Sequence, residues 1–103
     1  MKMEGNSLWI HKPQEQAGTY FFSGHLLVTQ AVISSLTSNE IAAIYLDLQL
    51  FVMENNGADY LQIYFNDKGD KVYIIDQLKK EIIESGTYSP EENYCTLLFS
   101  WEY

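Results

Sequence analysis

The sequence of 103 residues contains no arginine, one cysteine and two histidines. Arginine forms the bidentate contacts that most often recognise phosphate and guanine, so its absence argues against direct binding to nucleic acid. The single cysteine, Cys95, excludes an internal disulfide and is typical of a reducing compartment. A zinc site needs several cysteines or histidines at short spacing, so we expect no metal or other cofactor.

Long apolar runs are also missing. No segment approaches the ~20 apolar residues that span a bilayer, and the polar start of the chain lacks the pattern of a signal peptide. Glycine is scattered through the sequence, which excludes a glycine-rich phosphate loop. We therefore expect a cytoplasmic protein that has no membrane partner.

The chain is rich in acidic and in apolar residues. Fourteen Asp and Glu against six Lys give a net charge of −8, and 47% of the residues are hydrophobic. This length and composition predict a single domain over 1–103 that folds alone, with residues 1–18 as a loosely ordered N-terminal arm. A strongly negative chain repels nucleic acid and anionic membranes and attracts basic proteins.

The clearest predicted element is a long helix. Thr37 and Glu40 are spaced as a capping box, and Asn56-Gly57 is a typical helix stop, so the helix should span 38–55. Asp76 is predicted to cap a second, short helix over 77–85. The predicted strands lie at 19–22, 25–32, 59–65, 71–75 and 93–99, the first two joined as a hairpin through Ser23-Gly24.

These elements follow the order β-β-α-β-β-α-β. The order predicts an α+β fold, in which an antiparallel-rich sheet of about five strands carries the long and the short helix on one face.

Several segments carry a resemblance. They are 24–32, 72–76 and 96–99, followed by the closing Glu102-Tyr103. Together they resemble a loose group of small, uncharacterised bacterial proteins carried on plasmids, conjugative elements and phages. The chain departs from that group at Gly57-Ala58-Asp59-Tyr60, where Gly-Asp-Trp-Gly is frequent, and at Trp101, where proline is usual. The resemblance implies a mobile-element context and supplies no catalytic residues.

The long helix has two apolar stripes. Ile41, Ile44, Leu48 and Val52 belong to the stripe that should face the sheet. On nearly the opposite side lie Leu46, Leu50 and Met53, which we call the helix patch. An apolar outer side implies a cover, and two covers are open: the N-terminal arm, through Trp9 and Ile10, or a dimer or partner interface.

The acids are unevenly distributed, since ten of the fourteen follow Met53. They predict an acidic partner-binding face for a basic protein, with solubility as the alternative explanation. Asp67 and Asp70 also fit ordinary turn chemistry. Tyrosines among the acids suit a binding face because they give a large contact area at low entropic cost. The predicted acidic face comprises Asp59, Asp67, Asp70, Glu81, Glu84, Glu91 and Glu92, and its aromatic contacts are Tyr60, Tyr64, Tyr73 and Tyr88.

Catalytic chemistry is hard to assemble from this sequence. Cys95 and His25 both lie on predicted strands, but no third orienting group or strand-to-helix elbow accompanies them. Asp67 and Asp70 lack the spacing of a calcium loop. We therefore expect no enzyme and no catalytic role for Cys95.

The resulting functional hypothesis is a non-enzymatic, acidic protein-binding inhibitor from a phage or mobile element. It would block a nucleic-acid-handling host defence protein such as a Cas effector, as an anti-CRISPR protein or DNA mimic does. The alternative is a regulatory interaction module that forms a homodimer through the helix patch. A third candidate is a small enzyme or ligand binder that uses the tyrosines and acids.

Overall fold

In the part of the chain that the structure describes, five strands form one sheet with two helices on one of its sides. The structure, a computed structural model, describes residues 8–76, 85–86 and 93–103. It confirms the predicted α+β class, with one long helix and one short helix. The elements are β1 (Trp9–His11), β2 (His25–Val28), α1 (Gln30–Ser35), α2 (Ser38–Asn55), β3 (Leu61–Asn66), β4 (Lys71–Asp76) and β5 (Tyr94–Phe99), followed by a 3-10 turn (Ser100–Glu102).

The strand order is β1-β3-β4-β5-β2, and all neighbours are antiparallel except β2 and β5, which run parallel. The sheet is therefore antiparallel-rich, as predicted. The short helix of the structure is α1, which precedes α2. Residues 77–84 of the predicted short helix over 77–85 lie outside the described residues, and its predicted cap, Asp76, is the last residue of β4.

The predicted hairpin over 19–32 is wrong. Tyr20 forms only an isolated bridge with Ala58, and β2 pairs with β5 at the other end of the chain. The strand also ends early, because Thr29 Oγ1 accepts a hydrogen bond from Val32 N and begins α1. Phe22 (φ 52°) and Gly24 (φ 84°) turn the chain between the two segments and separate them.

Part of the N-terminal arm forms a strand that the sequence did not predict. Trp9–His11 forms β1, which pairs with β3 at the edge of the sheet. Lys12 N donates to Ile63 O at 2.9 Å, and this bond extends the pairing beyond the strand. Part of the segment that the sequence indicated as a loose arm is therefore a fifth strand.

Helix α2 begins and ends where its sequence predicts. Thr37 Oγ1 accepts from Glu40 N at 3.1 Å, and Glu40 Oε1 accepts from Thr37 N at 2.8 Å, which completes the capping box. Asn56 adopts the left-handed conformation that stops the helix. Within the described ranges, no helix is long and apolar enough to cross a bilayer.

The core lies between the helices and the side of the sheet that we call the inner face. Ile44, Leu48 and Val52 of α2 and Val32 of α1 are buried against it. From the strands, the same core takes Tyr64, Val72, Ile74, Cys95, Leu97 and Phe99. The other side of the sheet, the outer face, takes the alternate residues of each strand, because successive side chains point to opposite faces.

Candidate functional site

The helix patch is exposed. Leu46, Leu50 and Met53 are 62%, 52% and 76% exposed, whereas Leu48 and Val52 of the same helix are buried. The 3.6-residue repeat of a helix places these two sets on opposite sides. The patch is a contiguous apolar stripe on a helix that is already packed on the sheet, and such stripes mark interaction sites more often than isolated exposed residues do.

One of the two predicted covers of the helix patch was the N-terminal arm, through Trp9 and Ile10, and the described part of this arm (residues 8–18) does not cover it. Trp9 lies on β1, where its Nε1 donates to Glu40 Oε2 at 2.7 Å beside the first turn of α2. Ile10 pairs with Phe65 on the outer face of the sheet. Both side chains are therefore placed elsewhere, and the explanation through Trp9 and Ile10 is wrong.

Two acids lie near the helix patch on α2, Asp47 and Glu54, and both are exposed. Asp47 is held in place, because Oδ2 accepts from the Tyr64 hydroxyl at 2.7 Å and lies 4.0 Å from His11 Nδ1. Burial and this bond to Asp47 raise the pKa of Tyr64 well above its ordinary value, so the hydroxyl keeps its proton. The patch is thus an apolar stripe with a fixed acid beside it.

The predicted acidic face is only partly visible. Asp67 and Asp70 lie together in the turn between β3 and β4, where Asn66 Oδ1 accepts from the backbone amides of Lys68 and Asp70. Asp59 lies just before the first residue of β3, at the other end of the strand. The length of β3 separates it from Asp67 by about 20 Å. Asp59 therefore lies apart from the other two described acids of this set. Glu81, Glu84, Glu91 and Glu92 lie outside the described residues.

The described tyrosines among the predicted aromatic contacts do not share one surface. Tyr64 is only 1% exposed and belongs to the core, so its predicted role as a contact residue is wrong. Tyr73 is half-buried on the outer face against Tyr103, with ring centroids 5.6 Å apart. Tyr60 is exposed, and a hydrogen bond to the Tyr103 side chain is the main cause that raises its pKa. Tyr88 lies outside the described residues.

A polar network that the sequence did not reveal links the N-terminal segment to β3. Gln62, which is 1% exposed, donates from Nε2 to Gln14 Oε1 and Asp59 O, and its Oε1 accepts from His11 Nε2 at 2.7 Å. The His11 ring stacks on Tyr64 at 4.6 Å. An open groove of about 460 Å³ lies next to this network, lined by residues 12–16 and 59–63. The network joins β1 to the sheet. Sequence spacing could not predict these hydrogen bonds, because the residues that they join are about fifty positions apart.

Cys95 and His25 lie on opposite faces of the sheet. Leu26 pairs with Cys95 toward the core, whereas the preceding pair of His25 and Tyr94 points outward. The pairing that a cysteine nucleophile would need is therefore absent between these two residues. No group of three metal-binding side chains occurs in the part of the chain that the structure describes.

The thiol of Cys95 should be inert. Burial, helped by the neighbouring Asp76 charge, raises its pKa to about 12. A thiol reagent at neutral pH should label the chain only when it unfolds, because the thiolate is the reactive form. Cys95→Ala should keep the protein's activity and cost about 1 kcal/mol of stability. Rapid labelling of the folded chain would contradict this interpretation.

The same thiol predicts a pH effect. An unfolded cysteine has a pKa of about 8.5, so above that pH the folded chain holds a proton that the unfolded chain loses. Stability should therefore fall as pH rises from about 8.5 toward 12, with a limiting contribution of about 1.4 kcal/mol per pH unit. Urea unfolding of the wild type and Cys95→Ala at two alkaline pH values gives this slope by difference, together with the coupled titration of Tyr45, whose pKa is raised by burial and by the neighbouring Cys95. Equal slopes would exclude the effect.

No family model, no curated protein and no solved structure matches the chain.

Proposed function

We propose that this protein is a non-enzymatic inhibitor from a phage or mobile element, which binds a basic, nucleic-acid-handling defence protein of its host. A Cas effector is the concrete form of such a target, and the mode of action is that of an anti-CRISPR protein. The observation that carries the proposal is the exposed helix patch of Leu46, Leu50 and Met53, with Asp47 and Glu54 near it. The resemblance to mobile-element proteins supports the same context.

The composition of this surface suits a protein partner. Protein interfaces combine an apolar centre with a polar rim, and the helix patch with its acids has both parts. The net charge of −8 favours a basic partner, because opposite potentials speed association and select the correct surface. The helix patch replaces the acidic face as the central contact, since the described acids of that face lie at opposite ends of β3.

The alternative, a regulatory module that dimerises through the helix patch, uses the same side chains. A dimer through this patch would bring Asp47 and Glu54 of both copies close to the same contact. Like charges across an interface disfavour association. A basic partner removes this repulsion, which is why we prefer it.

A cell-based challenge tests the proposal. The protein is expressed in bacteria that carry an active CRISPR–Cas or restriction system, and the efficiency of plating of a targeted phage is measured. Wild type should restore plating. Leu50→Glu should lose at least about tenfold of this effect, because truncating or charging a central apolar contact costs about 2 kcal/mol or more.

Ile33→Glu is the matched control. Ile33 lies on α1, is 53% exposed and receives the same charge, so it should retain inhibition. Binding of a responsive effector, measured by calorimetry, should weaken between about 0.1 M and 1 M salt, as the Debye length falls from about 10 Å to about 3 Å. Inhibition that survives in Leu50→Glu would contradict the role of the helix patch. Failure across a panel of Cas effectors and restriction enzymes would contradict the proposed target class.

A further inference from the structure

The outer face of the sheet is unusually apolar. Strand pairing places Ile10 opposite Phe65, Ile63 opposite Tyr73, and Leu61 opposite Ile75 on this face. Its outward positions on all five strands are Ile10, His25, Leu27, Leu61, Ile63, Phe65, Lys71, Tyr73, Ile75, Tyr94, Thr96 and Leu98. A sheet with one face in water normally alternates between apolar inward and polar outward residues. Here the outward residues are mostly apolar as well.

Several side chains of the outer face are exposed to solvent. Ile10 and Leu27, on the two edge strands, are each 48% exposed, and Phe65 is 36% exposed. Among the described residues, the helices pack only on the inner face, and Tyr103 is the side chain that contacts Tyr73 from outside the sheet. An apolar surface that extends across five strands indicates a further interface.

The charge of this face indicates what can approach it. None of its outward strand positions carries an acid, and Lys71 and His25 are its ionisable residues apart from tyrosine. The exposed acids of α2, Asp47 and Glu54, lie on the opposite layer. For a chain of net charge −8, the outer face therefore offers a second copy a contact that brings no acidic strand side chains together.

We propose that two copies of this chain pack outer face against outer face. The three central strands each have six residues, so the face is about 20 Å long and about 20 Å wide at a strand spacing of ~4.8 Å. A contact between two such faces buries roughly 800–1,000 Å² in total, which is less than the about 1,200–2,000 Å² of stable interfaces and therefore predicts a weak, reversible dimer. Aligned sheet packing with about 10 Å between the sheets is the usual geometry for such faces.

This dimer goes beyond the proposed function and does not depend on it. Because the helices lie on the inner face of each sheet, both copies of the helix patch would point away from the interface. The dimer would therefore present two binding surfaces on opposite sides. A twofold, self-complementary contact also closes on itself, which limits the assembly to two copies.

Sedimentation of the full chain over a wide concentration range tests the inference. The wild type should show a monomer–dimer equilibrium that strengthens with salt, because salt screens the repulsion between two negative chains. The double variant Ile63→Thr, Phe65→Thr should raise the dimer dissociation constant about a hundredfold, since it removes apolar burial while threonine keeps the strand preference. Leu50→Glu is the control and should dimerise like the wild type.

The outcomes separate this dimer from the alternatives. A monomer at all concentrations would overturn the inference. So would a dimer that dissociates in Leu50→Glu, which would indicate contact through the helix patch, or growth beyond two copies, which would indicate head-to-tail stacking. Circular dichroism checks folding, and if the double variant is unfolded, Ile10→Thr with Leu27→Thr tests the same face at already exposed edge positions. A wild-type protein that dimerises but does not inhibit a host defence system would contradict only the proposed function.

Discussion

Gly24→Ala is expected to destabilise the folded chain by about 3 kcal/mol or more, because it combines backbone strain with a steric clash. Gly24 has φ +84°, and an added Cβ would lie 2.4 Å from the backbone oxygen of Asn93. That oxygen accepts from His25 N at 3.1 Å, at the start of the pairing between β2 and β5. The Asn93 side chain is fixed as well, since Nδ2 donates to Ser23 O and Oγ at 3.0 Å.

Gly69→Ala is the matched control for this prediction. Gly69 has a similar φ of +89°, but an added Cβ would meet nothing within 4 Å. It should cost only the left-handed strain, about 1 kcal/mol. Urea unfolding gives the free energy of unfolding of both variants. The difference between the two values reports the close approach of Gly24 to Asn93. Equal losses would show that this close approach does not contribute to stability.

Asp76→Ala is expected to cost about 3 kcal/mol, because it removes the acceptor of a buried backbone amide. Asp76 Oδ2 accepts from Phe22 N at 2.7 Å, and the two residues are 2% and 0% exposed. The Phe22 carbonyl is held on its other side by the Tyr45 hydroxyl at 3.1 Å and Gln49 Nε2 at 2.6 Å. These bonds maintain Phe22 in its left-handed conformation (φ 52°), which is costly for a non-glycine residue.

Asp67→Ala provides the comparison, because Asp67 is an exposed acid in the turn after β3. Its removal should change the free energy of unfolding by no more than about 0.5 kcal/mol. Both variants lose one negative charge, so any effect of net charge cancels between them. A loss at Asp76 no larger than that at Asp67 would contradict the role assigned to the buried carboxylate.

Local signals predicted the parts of the fold whose partners are close in sequence. The capping box of Thr37 and Glu40 and the stop at Asn56 bring together residues only a few positions apart, so α2 was placed correctly. The hairpin of β3 and β4 has the same local character, with its turn at 67–70. The helix patch was predicted from the same helical spacing, because a period of 3.6 residues determines which side chains share a side.

The errors arose where pairing is distant. Residues 25–32 are apolar enough for one long strand, but β2 ends at Val28 because Thr29 caps α1 and because β5, its parallel partner, lies about seventy residues away in sequence. Apolar runs of this length do not distinguish a strand from a buried helix. The three described acids of the predicted face separate for the same reason, since composition counts Asp59 and Asp67 together but β3 holds them at opposite ends.

The sequence by itself determined the α+β class, the limits of α2 and the position of the helix patch, because these depend on composition and short-range spacing. Only the tertiary structure decided the directions of the β3 side chains. Gln62 and Tyr64 are buried beneath α2, where Gln14, His11 and Asp47 satisfy their polar atoms. Leu61, Ile63 and Phe65 consequently point away from the helices. Alternation predicts two sets of residues on a strand, but which set faces the core depends on the distant groups that can satisfy buried polar atoms.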